Sequence, residues 1–258
     1  MDRAIVLWVF CFLAGVLKSQ VEEKNDSLNP TAFQFQNESE TLSFGSEGLV
    51  DFSTIGAWNT SAQLMRFWIG EPDVFRIPIM FYTGATNLPG SSDELNAATI
   101  YDLVNPVGGN LSLAFDFGSD PLWKSKSGQT MLQWNFFGSA KLIRGESLES
   151  GVVHTDYGYF FEAGFTFRTL AWSGSSPMDL GIAFLSFRYA FSGMDPSGLE
   201  RYFDQRTMPQ GVRFETGVFI KKRLNFKLSY FQALSGLELP TLDKSQWRVG
   251  LDYRLGKQ

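Results

Sequence analysis

The stretch Trp247–Leu255 reads WRVGLDYRL, and the stretch Phe161–Arg168 reads FEAGFTFR. In both, every second side chain is apolar or aromatic, and the residues between are charged, polar or glycine. A period of two predicts β-strands with one apolar face and one polar face. The fold then depends on which face looks inward. A soluble barrel keeps its apolar face inside, whereas a membrane barrel turns it towards lipid.

Similar alternation recurs along most of the chain and predicts about ten strands, with eight and twelve as the alternatives. The first is the weakest, because glycines interrupt it. The predicted ranges are Thr41–Trp58, Gln63–Ile69, Val74–Thr83, Gly109–Phe117, Met131–Ile143, Tyr157–Trp172, Leu180–Phe191, Val212–Lys221, Leu224–Leu234 and Trp247–Leu255. The connections between them alternate between short and long. This asymmetry is typical of an all-β, antiparallel up-and-down transmembrane barrel.

The composition narrows the class of partner. The 258 residues carry a net charge of -5 and a pI near 5.0, so no basic excess favours nucleic acid. Aromatic residues make up 16% of the chain, including 25 Phe, while the mean hydropathy is only -0.09. This combination is typical of a wall that is apolar on one side and polar on the other.

The N-terminus predicts export. An apolar run, Ala4–Leu17, is too short to span a bilayer and is followed by Lys18, which predicts a signal peptide over residues 1–19. An uncleaved anchor and a buried helix are the alternatives. Residues 20–40 are polar and predicted to be flexible, and residues 41–258 form the predicted barrel. The single cysteine, Cys11, lies in the signal peptide, so we expect neither disulfides nor a thiolate zinc site, and no cofactor.

The polar face of the predicted strands mixes single charges of both signs with very small residues. Such a face fits a narrow lumen, where opposite charges pair and glycines such as Gly164 and Gly217 leave room for bulky neighbours. We therefore predict a lumen charge network made of Arg76, Asp116, Lys141, Glu162, Arg168, Arg188, Arg213, Glu215, Lys227, Arg248, Asp252 and Arg254.

Bases outnumber acids in this set, so we expect a mildly basic and largely filled interior. The long connections carry acids instead, and these predict an acidic outer rim: Asp93, Glu94, Asp102, Glu146, Glu149, Asp156, Asp195, Glu200, Asp204, Glu238 and Asp243. An anion-preferring pore is one hypothesis, although about ten strands leave little open lumen once side chains fill it.

The opposite face is rich in Phe and Leu and is predicted to contact lipid. Aromatic residues near the predicted strand ends are expected to form the interfacial girdles, with packing in a core or at an edge as the alternative. They are Trp68, Tyr82, Tyr159, Trp172, Tyr189, Tyr230, Trp247 and Tyr253.

Taken together, the signal peptide, amphipathic strands, loop asymmetry and final strand resemble those of Gram-negative outer-membrane β-barrel proteins. The Ser19–Gln20 junction resembles signal sites common in Bacteroidetes. Many such barrels end on an aromatic residue, whereas here Tyr253 and Leu255 precede three further residues. The resemblance implies location in the cell outer membrane, contact with its lipid and lipopolysaccharide, and insertion by the barrel-insertion machinery. It leaves the oligomeric state open.

Candidates for chemistry are few. His154 is the chain's single histidine, and together with Asp156 it is the only candidate for a catalytic site. A solvated loop histidine is the default interpretation, and we expect no enzyme. The leading hypothesis is a small outer-membrane barrel with a structural, surface-binding or limited-transport role. An outer-membrane hydrolase with an active site at the rim, and a soluble secreted β-barrel that binds an apolar ligand, are the alternatives.

Overall fold

The computed structural model describes residues 42–53, 58–71, 75–87, 94–118, 121–147, 149–173, 180–203, 209–220, 224–235 and 245–254. The predicted signal peptide, Cys11 and the predicted flexible segment lie outside these ranges. Neither helix within them is long and apolar enough to cross a bilayer.

Strands dominate the structure, and each predicted strand corresponds to one in the structure. The elements are β1 Leu42–Ser53, β2 Trp58–Glu71, β3 Phe75–Asn87, α1 Glu94–Val104, β4 Leu111–Gly118, β5 Trp123–Lys124, β6 Thr130–Glu146, β7 Val153–Ser173, β8 Leu180–Met194, α2 Pro196–Phe203, β9 Gln210–Ile220, β10 Leu224–Ser235 and β11 Ser245–Arg254. The sequence did not predict α1, α2 or β5, which all lie in connections.

Ten strands close into an antiparallel barrel, which confirms the predicted fold class. Within the ring, each strand pairs with the next ring strand along the chain, including β4 with β6, and β1 pairs with β11. β5 pairs only with the edge of β6 and stays outside the ring. The ladders differ in length. β6 and β7 pair from Thr130–Thr169 to Glu146–Val153, whereas β3 and β4 pair only from Ile79–Phe115 to Thr83–Leu111.

The two ends of the barrel carry different connections. One end has connections 72–74, 119–129, 174–179 and 221–223. The first residue of β1 and the last residue of β11 also lie at this end. We call it the short-turn end. The other end has connections 54–57, 88–110, 147–152, 195–209 and 236–244, and we call it the long-loop end. Both helices belong to the long-loop end.

Burial shows which face looks inward. On β8 and β10, Ser186 and Ser229 are buried at 1% and 7% exposure, whereas the alternating Phe187 and Phe226 are 46% and 49% exposed. The polar face therefore lines the lumen, and the Phe-rich face forms the outer surface, which we call the apolar belt.

Two predicted girdle residues face inward instead. Tyr82 is out of phase with Phe81, is buried, and donates a hydrogen bond to the Met80 sulfur at 3.3 Å. Trp68 lies opposite the buried Pro78 because an irregularity in register between Gln63 and Met65 reverses the phase of β2. The girdle prediction is wrong for these two residues.

Candidate functional site: a helix inside a charged lumen

The connection from β3 to β4 folds back into the barrel and places α1 in the lumen near the long-loop end. Tyr101, Leu103 and Val104 of α1 are at most 1% exposed. They belong to an apolar cluster contributed by opposite parts of the wall, namely Ile143, Phe160, Ala190, Met194, Leu199, Phe231 and Ala233. These residues lie on strands β6, β7, β8 and β10 and on helix α2, so α1 plugs the lumen at this end.

The C-terminus of α1 is held by a lysine from the wall. The Lys141 ammonium donates hydrogen bonds to the carbonyl oxygens of Asp102 at 2.8 Å and Leu103 at 3.1 Å, and to that of Asn105. Lys141 is 2% exposed and its Nζ also lies 4.9 Å from the centre of the Phe160 ring. Helix C-termini leave carbonyl groups without hydrogen-bond partners and carry a partial negative charge. A buried ammonium group donates hydrogen bonds to these carbonyls and compensates the charge.

Further polar contacts fasten both sides of the helix. Thr99 donates from its hydroxyl to the Arg144 carbonyl at 2.6 Å, and Thr86 of β3 donates to Asp102 Oδ1 at 2.5 Å. The Arg248 guanidinium lies 4.3 Å from the centre of the Tyr101 ring. The plug is therefore bound by strands from several parts of the ring.

Two titratable groups of the plug respond to its burial. Burial raises the pKa of the Asp102 carboxyl, although the hydrogen bond from Thr86 partly opposes this shift. Burial also raises the pKa of the Tyr101 hydroxyl. Asp102 was predicted at the acidic rim, and that prediction is wrong because its helix enters the lumen.

Predicted lumen charges form compact ion-pair groups. Glu162 of β7, at 2% exposure, accepts hydrogen bonds through Oε1 from Arg188 of β8 and from Arg213 of β9. Arg188 and Arg213 lie opposite each other on paired strands. One buried carboxylate therefore compensates two neighbouring guanidinium groups. Glu215 lies on the same face of β9, two positions beyond Arg213.

A second group joins β1, β10 and β11. The Lys227 ammonium lies 3.0 Å from Asp252 Oδ1 and 3.9 Å from Asp51 Oδ1, and Asn225 donates to Asp252 at 2.9 Å. A Cβ on Gly250 would lie 2.2 Å from Asp51 Oδ1 and 2.5 Å from Lys227 Cε, so any side chain at this position would displace the members of this group.

Asp116 and Arg168 complete the described part of the predicted set. Asp116 points into the lumen, since it pairs opposite Phe137, yet its side chain is exposed. Arg168 faces the lumen from β7, since it pairs opposite the buried Met131. Arg76 lies in β3 and Arg254 in β11, but their side chains are outside the described part of the structure.

Among the side chains that the structure describes, the sequence analysis missed three lumen charges, namely Asp51, Arg66 and Asp102. Two of them are acids, so they reduce the predicted basic excess of the lumen. The register irregularity in β2 hides the inward position of Arg66, and Gly45 and Gly48 within β1 interrupt the alternation that would have revealed Asp51. Asp102 would require prediction of α1 and of its position.

His154 and Asp156 lie on the lumen-facing side of β7 at the long-loop rim, where both are partly exposed. Asp156 lies beside α2, since a Cβ on Gly198 would be 3.7 Å from its Cγ. The catalytic role of this pair stays a prediction. Among the described residues, no group of three or more His, Cys, Asp or Glu side chains could hold a metal ion.

No protein-family model matches the chain, and no curated protein matches it. The NanC porin is a similar solved structure, with a TM-score of 0.40 and 10% sequence identity over 81% of this chain and 100% of that one. The β domain of the Bordetella autotransporter BrkA has a TM-score of 0.32 and 10% identity over 83% of this chain and 99% of that one. OmpT, an outer membrane protein of Vibrio cholerae, has a TM-score of 0.21 and 6% identity over 85% of this chain and 99% of that one. At these TM-scores, none of the three carries an argument about function. The predicted resemblance to outer-membrane barrels holds for the fold, through the chain's own closed ladder of ten strands.

Proposed function

We propose that this protein is an outer-membrane barrel whose lumen is closed at rest by α1, so that it acts in the envelope as a structural or surface-binding protein rather than as an open pore. The apolar belt then contacts outer-membrane lipid and lipopolysaccharide, and the chain reaches the membrane through the barrel-insertion machinery. Exposed outward residues such as Phe187, Phe226 and Val249 support membrane insertion, because lipid needs no complementary packing partner.

The observation that carries the closed state is the bond set between Lys141 and the end of α1. A buried ammonium with three carbonyl partners is costly to separate from them, because each group would be left without hydrogen bonds. The apolar cluster around Leu103 adds packing against several parts of the wall. Both features keep the helix inside the lumen.

Planar-bilayer recording tests this proposal. We expect the refolded wild-type protein to insert without discrete conductance steps. A variant in which residues 94–104 are replaced by a glycine-serine segment of equal length is expected to show such steps, because it lacks the apolar residues that pack in the lumen. Steps of similar size in both proteins would contradict the closed state. Heat-modifiable migration on unboiled gels verifies that both barrels are folded.

Two other functions are separated by simple measurements. A protein that is recovered soluble without detergent would instead be a secreted barrel that binds an apolar ligand. Hydrolysis at the rim would require turnover of lipid or peptide that is abolished by His154→Ala. We expect fractionation with membranes and no such turnover.

A further inference from the structure

The ring of strands is incomplete between β3 and β4 towards the short-turn end. Their pairing ends at Ile79 and Phe115. Beyond this point β3 continues to pair with β2 as far as Phe75, and β4 continues to pair with β6 as far as Gly118. Within the described ranges, residues 75–78 and 116–118 therefore face each other without register pairs. We call this opening the β3–β4 gap.

The gap lies at the level of the apolar belt. Phe117 of β4 pairs opposite Phe136 of β6, and the outward face of β6 continues beyond it with Trp134 and Leu132 towards the short-turn end. The rings of Phe117 and Trp134 lie 6.2 Å apart in an edge contact. Lipid hydrocarbon adjoins these residues if the barrel is inserted as proposed.

Backbone N–H and C=O groups left unpaired in hydrocarbon are costly, so a strand edge that faces an acyl chain should present few of them. Pro78 is the first residue of β3 beyond the paired region, and it has no N–H to leave without a partner. Within sheets, proline is found on edge strands, at the first residue of a strand and at bulges. Its position here fits a strand edge that stays unpaired with β4.

The lumen behind the gap is charged and reachable. Asp116, the first residue of β4 beyond the paired region, points inward and is exposed. Asp116 pairs opposite Phe137, which pairs opposite Glu162, and the Glu162 carboxylate accepts a hydrogen bond from Arg188. Arg168 lies on the same inward face of β7 as Glu162. Guanidinium groups bind phosphate and carboxylate groups well.

We propose that the β3–β4 gap is a lateral portal that admits a membrane lipid with an anionic headgroup. The headgroup lies in the lumen near Arg168 and Arg188, and an acyl chain passes between β3 and β4 into the bilayer. The charge of the lumen and the continuity of the gap with the apolar belt favour this occupant over an added protein strand. The inference rests on the membrane insertion proposed above.

Site-specific quenching tests the portal. A bimane fluorophore is attached to Asp116→Cys in a Cys11→Ser background, and the protein is refolded into vesicles of phosphatidylcholine with either brominated phosphatidylglycerol or brominated phosphatidylcholine. Glu215→Cys is the matched inward control, because it also replaces an inward carboxylate but lies between two fully paired strands. Phe226→Cys is the outward control. Unboiled gels verify that each variant is folded.

We expect the brominated lipid to quench position 226 strongly, position 116 clearly and position 215 hardly at all, with stronger quenching at position 116 by phosphatidylglycerol. Equal, weak quenching at positions 116 and 215 would overturn the portal, as would a protein strand that occupies the gap. Equal quenching at position 116 by both lipids would overturn the anionic headgroup. Loss of quenching at position 226 would overturn membrane insertion as well, which distinguishes failure of the two proposals.

Discussion

The two halves of the lumen are filled in different ways. Near the long-loop end, α1 packs apolar side chains against Ile143 and Phe160, with Lys141 as a charged anchor. Towards the short-turn end, ion-pair groups around Glu162 and Lys227 occupy the space. Packing depends on shape, whereas the ion pairs depend on charge balance. Substitutions in the two halves should therefore destabilise the protein for different reasons and respond differently to pH.

The largest effect is expected from Glu162→Ala. The substitution leaves the half-buried Arg188 and the buried Arg213 side by side without their shared carboxylate, and a buried ion pair that loses one partner costs about 4 kcal/mol. Urea unfolding in phospholipid vesicles, followed by tryptophan fluorescence, measures this loss. Glu149→Ala, at an exposed loop position, is the control and should change little. Similar midpoints for both variants would contradict the importance of this ion-pair group.

In the long-loop half, Leu103→Ala tests packing. Leu103 is fully buried, so truncation should leave a cavity and cost about 3 kcal/mol. Tyr101→Phe is the matched control on the same helix, because the buried Tyr101 hydroxyl has no hydrogen-bond partner among the described residues and its removal should be nearly neutral. The same unfolding measurement applies. A large loss for Tyr101→Phe would show that the hydroxyl contributes more than the packing of its ring.

Lys141→Met tests the anchor of the plug with little change in side-chain length. Three carbonyl groups lose a charged donor, which should cost about 2 kcal/mol. The variant should also show brief conductance events in planar bilayers, whereas Lys124→Met at an exposed position should show none. If Lys141→Met leaves the unfolding midpoint unchanged and produces no conductance events in planar bilayers, apolar packing alone holds α1.

The smallest effect is a pH dependence. Because burial raises the pKa of Asp102, the stability that this group contributes is present below its unfolded-state pKa and is lost as the pH rises through the folded-state pKa. Asp102→Asn keeps an oxygen that accepts from Thr86 but cannot ionise. The variant should therefore gain stability over the wild type at neutral pH, and the difference should shrink as the pH falls. Unfolding midpoints measured across this range would show no trend if Asp102 does not titrate in the plug.

Strand alternation predicted the wall well because it is a local property of the sequence. Glu162, Arg188 and Arg213 were placed on the inward face from the phase of their own strands, and the structure brings these three together. The partners within each ion-pair group depend on the register between strands, which the pattern of a single strand does not contain.

The plug was not predicted, although a local signal for its helix exists. Residues 91–105 lack both Gly and Pro, and Pro106 follows them directly, which favours a helix that ends there. Its entry into the lumen depends on contacts with distant strands. Ile143 and Phe160 give a second signal, because they lie near the long-loop end on strand faces that also carry Lys141 and Glu162.

α1 is tethered directly to β3 and β4, the pair of neighbouring strands with the shortest ladder in the ring. Any force that pulls the helix out of the lumen is therefore transmitted to the two neighbouring strands of the ring that share the fewest paired residues. Tension on this connection loads the Thr83–Leu111 end of their ladder first. Withdrawal of the helix and separation of the wall are thus mechanically coupled through one continuous segment of chain.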